Sequence, residues 1–406
     1  MHAQGGQRSA EAFQLLADRY QLAPLPVLDS HEMVDVAHPW GEPKRFLRVA
    51  LPSTMGYRTG DHLAVLPRNP EPLVHRVAAR FGLDPEATIT LAAGRRGLPV
   101  GIPVSVRQLL AEFLELRFPP SALSVGRLVE HTRDDAERRE LTRLAGLERE
   151  EFRRQVTAQE RSVLDLLEQF PSCALPFEQY LDLLRPMRVR SYSISSSPLV
   201  SPHEADLMVS LLDEPHRAGV GTYTGVASEF LQRTEADDVL HGKVVRCQES
   251  FRLPDDASVP VILVCAGTGL APFRAAVADR TVTPGGTLLL YFGCRHPDVD
   301  FLHRAELEAA DAAGVVSLRA TFSRAPQDGM RYVQHRIARE GREVWGLLER
   351  GAHVRVCGDG RHMAPDVRAA FRELRRDHAG GSEEDAVAWL HELMTSGRYV
   401  EDVWAG

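Results

Sequence analysis

Beyond about Pro254, four short apolar runs (259–265, 287–292, 315–321 and 354–357) alternate with stretches of helical spacing. Strands separated by helices of this length predict crossover connections, and hence a parallel sheet with helices on both faces. The first run leads into Val264-Cys265-Ala266-Gly267-Thr268-Gly269-Leu270-Ala271-Pro272, which reads as a buried strand, a glycine-rich turn and a helix start. Gly267 and Gly269 let the backbone approach a pyrophosphate closely. Pro272 suits the first turn of a helix, whose free N–H groups and dipole attract an anion. The longer Gly-x-Gly-x-x-Gly pattern is missing, so the segment alone fits an ordinary tight strand–helix connection equally well.

Upstream the texture is different. Between about Leu28 and Pro67, and again over 189–194 and 207–212, apolar and polar residues alternate, which predicts strands. From about Pro70 to Pro186 leucines recur three and four apart among mixed charges, the mark of helices with solvated faces. The expected layout is a polar leader with a short helix over 1–24. A β-barrel follows over 25–255, interrupted by a helical insertion at about 75–185, and an α/β parallel-sheet domain spans 256–406. No internal repeat of 20–50 residues is present.

Composition excludes several classes. The 406 residues suit two or three domains, and a hydrophobic content of 44% argues against disorder. No apolar run reaches the 18 residues of a membrane span, and Met1-His2-Ala3-Gln4-Gly5 offers no secretory signal. A net charge of −8 disfavours nucleic acid and anionic membranes as partners. Five widely spaced cysteines without a Cys-x-x-Cys point to reduced thiols in a cytoplasmic setting, and to neither a zinc site nor an iron–sulfur cluster. Only two lysines, Lys44 and Lys243, stand among 48 cationic residues, so a phosphate-binding cation is expected to be arginine.

Taken together, Gly267-Thr268-Gly269-Leu270-Ala271-Pro272-Phe273-Arg274, Arg190-Ser191-Tyr192-Ser193 and Gly225-Val226-Ala227-Ser228 resemble the ferredoxin–NADP reductase superfamily. The helical insertion, Tyr291 to Arg295, Cys357-Gly358-Asp359-Gly360 and the ending Asp402-Val403-Trp404 narrow the resemblance to diflavin reductases. Arg398 to Gly406 looks most like the reductase end of bacterial self-sufficient cytochrome P-450 fatty-acid hydroxylases. The resemblance covers about residues 25 to 406. It implies FAD and NADPH as cofactors, with an FMN-containing flavodoxin-like domain and a haem monooxygenase downstream. A free-standing NADPH–ferredoxin/flavodoxin reductase or diaphorase is the alternative, against which the helical insertion and the Asp-Val-Trp ending weigh.

The resemblance also implies roles. Arg190 is expected to neutralise the FAD pyrophosphate, and Ser191 belongs to the same motif. Tyr192 is expected to stack on the flavin, and Ser193 to place a hydroxyl beside N5. Met208, Val209 and Ser210 line the flavin edge through their backbone. Gly225, Val226, Ala227 and Ser228 bind the second phosphate at a helix start, although a plain N-cap by Ser228 is compatible with the same residues. For the nicotinamide nucleotide, Ser323, Arg324, Tyr332 and Gln334 form the 2′-phosphate pocket. Arg331 is expected to supply the charge missing at Met330, where relatives carry lysine. Arg45, Thr268, Arg295 and Asp366 also fall on NADP-contact positions. Cys265, where close relatives have glycine, reads as a small packing residue.

Ser193, Cys357, Asp402 and Trp404 make up the expected reacting centre. There the carboxylate offsets positive charge growing on the nicotinamide, and Trp404 covers the flavin face and must swing away. On its own, Trp404 reads as an anchor for the C-terminal tail. About two dozen residues before the barrel are too few for an FMN domain of ~150 residues, so the chain is expected to be half of an electron relay.

Overall fold

The computed structural model describes residues 2–92, 97–211, 213–215 and 222–404; Leu212 of one expected strand and the terminal Ala405 and Gly406 lie outside them. The chain divides into two compact units. One comprises Met1–Pro24, Val65–Arg190 and Leu211–Thr234; the other comprises Leu25–Ala64, Ser191–Ser210 and Glu235–Gly406.

The first unit is helical. Its N-terminal helix, His2–Tyr20, is longer than the short helix expected of a polar leader. Ala12 and Leu16 recur one turn apart and are buried in the same core as Leu109, Leu110, Leu164 and Tyr180. Short polar residues set where later helices begin. Ser105, Ser121, Asp134 and Ser162 each sit at an N-cap and accept a backbone N–H with their side chains. Besides the insertion, this unit takes in the first helix and the Val226–Gln232 helix.

The second unit is built on two sheets. The six-stranded one runs, edge to edge, Arg190–Ser193, His62–Val65, Val239–Val245, Ala23–Glu32, Lys44–Ala50 and Glu204–Ser210. Its two end strands meet just beyond Ser193, where the Ser195 N–H donates to the Asp206 carbonyl at 2.8 Å. That bond curls the sheet into the expected barrel.

The five-stranded sheet has the order Ser317–Phe322, Leu288–Cys294, Val261–Ala266, His353–Asp359, Tyr399–Trp404, and every neighbouring pair is parallel. Its central strand shows why its sequence is apolar throughout. Val261, Leu263 and Cys265 enter one core, while Ile262 and Val264 enter the core on the opposite face. Strand order reverses beside this central strand, and the carboxyl ends there open a crevice of the kind that binds ligands in such sheets. The last strand, Tyr399–Trp404, was not anticipated as a strand. It is tied down by Arg355, a buried guanidinium that donates to the carbonyls of Phe251, Arg252, Gly397 and Arg398 at 3.0–3.3 Å. Burial pulls the Arg355 pKa down to about 10.

Candidate functional site

A cleft of about 620 Å³ lies at the carboxyl ends of the parallel strands. The glycine turn forms one wall, and two of its glycines are there for different reasons. Gly267 has φ +55°, a left-handed conformation open to solvent, whereas a Cβ on Gly269 would stand 2.3 Å from the Cys357 carbonyl oxygen. The turn runs directly into the Ala271–Val282 helix, which has proline in its first turn and no side chain capping its start. Thr268 lines the cleft and its hydroxyl lies 3.1 Å from that of Ser210.

Ser323, Arg331, Tyr332, Gln334 and Asp366 all reach this cleft. Gln334 donates to Asp366 at 3.0 Å, and the half-exposed Tyr332 ring tilts against His335. Arg331, not Met330, is on the wall. Arg324 is exposed and is not among the lining residues. Arg295 lines the cleft but already donates to the Glu42 carboxylate and to the Trp40 carbonyl.

The structure places Arg45 differently from the sequence expectation. Its guanidinium bonds Ser30 at 2.8 Å and Glu235 at 2.6 Å, and it is not among the lining residues. Its neighbour Lys44 lines the cleft instead. Adjacent strand residues face opposite sides, so a one-residue shift in assignment moves the cation to the wrong face. Burial pushes the Lys44 pKa down, and Asp300 at 3.9 Å partly offsets that.

At the sheet's far edge Cys357 and Asp402 are opposite one another in register. The Cys357 thiol is buried, and burial followed by the Asp402 charge pushes its pKa well up, so it stays protonated. His62 Nε2 donates to Asp402 Oδ2 at 3.0 Å, a partner the motifs did not reveal. The strand carrying Ser193 lies beside that of His62, and the Ile194 N–H donates to the Asp61 carbonyl at 2.9 Å, which makes Ser193 and His62 cross-strand neighbours. Trp404 ends the last strand, 46% exposed and lining the cleft. It is thus not the core anchor that an isolated tryptophan suggests.

The residues expected at the flavin are distributed over both units. In the sheet unit, Tyr192 and Ser193 are partly buried, Ser191 and Ser210 are exposed, and Met208 and Val209 point their side chains into the core, leaving only backbone to offer. In the helical unit, Arg190 donates to the buried Glu115 carboxylate at 3.0 Å, which holds its guanidinium. Gly225 is the N-cap of the Val226–Gln232 helix. Ser228 is not the cap: its hydroxyl donates back to the Gly225 carbonyl at 3.1 Å. Val226 and Ala227 fill the first turn between them. In the helical unit a guanidinium and a helix start suit phosphates, and in the sheet unit a tyrosine ring, a hydroxyl and strand backbone suit a flavin ring, so each set by itself fits its part of FAD. The cleft, with its glycine turn, Ser323, Arg331 and Tyr332, likewise fits a phosphorylated dinucleotide.

Comparison with known proteins agrees with this chemistry. A family model of FAD binding domains matches residues 50–230, and one of oxidoreductase NAD-binding domains matches residues 263–369. The chain is 41% identical over 372 residues to the bifunctional cytochrome P450/NADPH–P450 reductase 1 of Bacillus subtilis, covering 89% of this chain and 35% of the relative. It is 37% identical over 399 residues to a bifunctional cytochrome P450/NADPH–P450 reductase of Bacillus cereus, covering 96% of this chain and 37% of that one. A self-sufficient cytochrome P450 monooxygenase of Phanerodontia chrysosporium is 38% identical over 376 residues, 90% of this chain and 35% of the relative. The chain thus spans about a third of the length of these curated relatives.

Proposed function

We propose that this chain is a member of the diflavin reductase family and the FAD-dependent NADPH reductase of an electron relay, a reading supported by its matches to FAD binding and oxidoreductase NAD-binding domains and by its bifunctional P450/NADPH–P450 reductase relatives. It takes a hydride from NADPH and passes electrons singly to an FMN-containing domain, which serves a haem monooxygenase. FAD, when bound, supplies the two-electron to one-electron conversion. The observation that carries this reading is the convergence of Asp402, held by His62, and a cleft walled by Ser323, Arg331 and Tyr332 at the carboxyl ends of one sheet.

The chain's own residues divide the work. Arg331, the Ser323 hydroxyl and the Tyr332 ring receive a 2′-phosphate and its adenine, which favours NADPH over NADH. The glycine turn gives backbone N–H groups to the pyrophosphate, with Lys44 and Arg295 beside it. Asp402 keeps a negative charge where positive charge develops, and the His62 bond fixes which carboxylate oxygen faces outward. Cys357, protonated and buried, acts by packing rather than as a nucleophile. Trp404, exposed at the strand end, shields the site and yields to the nicotinamide ring.

A cytoplasmic setting accords with five unpaired cysteines, and among the described residues no helix is long and apolar enough to cross a membrane. The test is reduction of ferricyanide by FAD-loaded protein. Faster turnover with NADPH than with NADH is expected; equal rates, or a protein that stays colourless after FAD loading, would overturn the reading. Trp404→Ala is expected to narrow the NADPH/NADH ratio.

A further inference from the structure

The Glu204–Ser210 strand carries a buried carboxylate, Asp206, that holds two arginines, and none of the roles above uses these three side chains. Asp206 is 2% exposed. Arg48, directly opposite it in register on the Lys44–Ala50 strand, donates from Nε to Oδ1 at 2.7 Å and from Nη2 to Oδ2 at 3.0 Å. Arg274, in the second turn of the helix that follows the glycine turn, donates from Nη1 to Asp206 Oδ2 at 3.0 Å and to the Ser195 carbonyl at 3.1 Å. Its Nε goes to Glu306 at 2.9 Å. The backbone around Asp206 is equally engaged. Its carbonyl accepts from Ser195 N–H at 2.8 Å, and its N–H donates to the Ser196 hydroxyl at 3.0 Å.

We propose that Arg274, gripped by the Asp206 carboxylate that Arg48 also holds, is a positioning residue that sets the glycine turn against the flavin-lining strands. This rests on the reading that Gly267–Leu270 hold the dinucleotide and that Ser193 and Met208 to Ser210 border the flavin. Two side-chain contacts link the glycine turn and the helix it opens to the Glu204–Ser210 strand. At the far end Thr268 meets Ser210 through two hydroxyls 3.1 Å apart, a contact between exposed groups. At the near end Arg274 reaches Asp206, two residues before Met208, and Ser195, two residues after Ser193. One guanidinium therefore ties the helix that leaves the turn to the Glu204–Ser210 strand and to the segment just after Ser193. Buried, charge-assisted bonds hold geometry far better than an exposed hydroxyl pair. A hydride donor and acceptor need that precision, since a displacement near 1 Å costs on the order of 100-fold in rate.

Arg274→Gln tests the idea in the FAD-loaded protein, because it leaves Asp206 paired with Arg48. Three quantities are compared with the unmutated protein: the stopped-flow rate of flavin bleaching by NADPH, the nicotinamide–flavin charge-transfer absorbance on adding NADP+, and the affinity for 2′,5′-ADP. The expected result is a rate at least 10-fold lower and a charge-transfer band at least halved, with 2′,5′-ADP affinity within 2-fold. A purely structural role would weaken 2′,5′-ADP binding and FAD retention together and leave the band of the loaded fraction unchanged; that outcome, or an unaltered rate, overturns the proposal. If Arg274→Gln does not retain FAD, Arg274→Lys, which keeps one charged donor, is read by the same criteria. Absence of bleaching in the unmutated protein would instead refute the NADPH reductase reading itself.

Discussion

The glycine turn and the Tyr399–Trp404 strand both end at the same cleft, yet they are shaped by different means. The turn is main chain against main chain: Gly269 lies against the Cys357 carbonyl, and Gly267 takes a φ of +55°. The last strand depends on side chains from elsewhere in the chain: His62 holds Asp402, Arg355 gathers the carbonyls at the strand's start, and Arg368 pairs with Glu401 at 3.0 Å. A backbone-shaped site fails abruptly on substitution, because main chain cannot give way. A side-chain-shaped site loses function in steps.

Gly269→Ala is the sharpest break of this contrast. With the Cys357 oxygen 2.3 Å from the new methyl and Gly358 Cα at 3.0 Å, overpacking is expected to cost ~3 kcal/mol or more. Thermal unfolding should show a Tm lower by roughly 6–12 °C. Gly267→Ala meets no atom within 4 Å and should cost only the ~1–2 kcal/mol of left-handed strain. Equal losses in the two variants would erase the distinction.

On the side-chain side, Asp402→Asn should slow flavin bleaching by NADPH ~10–100-fold while Tm stays nearly unchanged. His62→Gln should show a smaller loss in the same stopped-flow assay. A Tm loss as large as that of Gly269→Ala would mean the last strand, too, is a rigid frame.

A third measurement uses His303, a partly buried neighbour of Arg274 with φ +51°. Burial, and then the Arg274 charge, pushes its pKa from an ordinary 6.5 down to about 3. The folded protein thus keeps this ring neutral while the unfolded chain protonates below 6.5. Stability is then lost as pH falls from about 6.5 towards 3, at up to ~1.4 kcal/mol per pH unit. Urea midpoints across that window should fall less steeply in His303→Asn, which tolerates the same φ.

The smallest effect concerns the flanking cations. Lys44→Met should weaken NADP+ binding ~10-fold, about the value of one charged contact, and Arg45→Met by no more than ~2-fold. The reverse order would return the cleft to Arg45.

Much of this is legible in the sequence. The apolar runs after Pro254, the glycine turn and the Arg190–Ser193 strand appear where alternation and punctuation placed them, because each is a local signal. His62, Glu115 and Arg355 were not legible. Their partners Asp402, Arg190 and the Gly397 carbonyl lie 340, 75 and 42 residues away, and no pattern within a window reports such a pairing. The Lys44 and Arg45 exchange has a simpler cause: two adjacent cations on one strand are equivalent in sequence and opposite in space. That Lys44 is one of only two lysines was the available hint.

The helical unit is assembled from three separated stretches of chain, and Val226 closes the same core that Ala12 and Leu16 open. On a ribosome those residues emerge far apart in time. At typical elongation speeds, roughly 10–40 s separate the exit of the first helix from that of the last segment it packs with. During that interval the amphipathic N-terminal helix has an apolar stripe and an unfinished core to cover it. Nascent chains of this protein should therefore depend on a holding chaperone until about residue 234 is made, and a synonymous change that slows translation inside the helical insertion should lower the soluble yield without altering any residue.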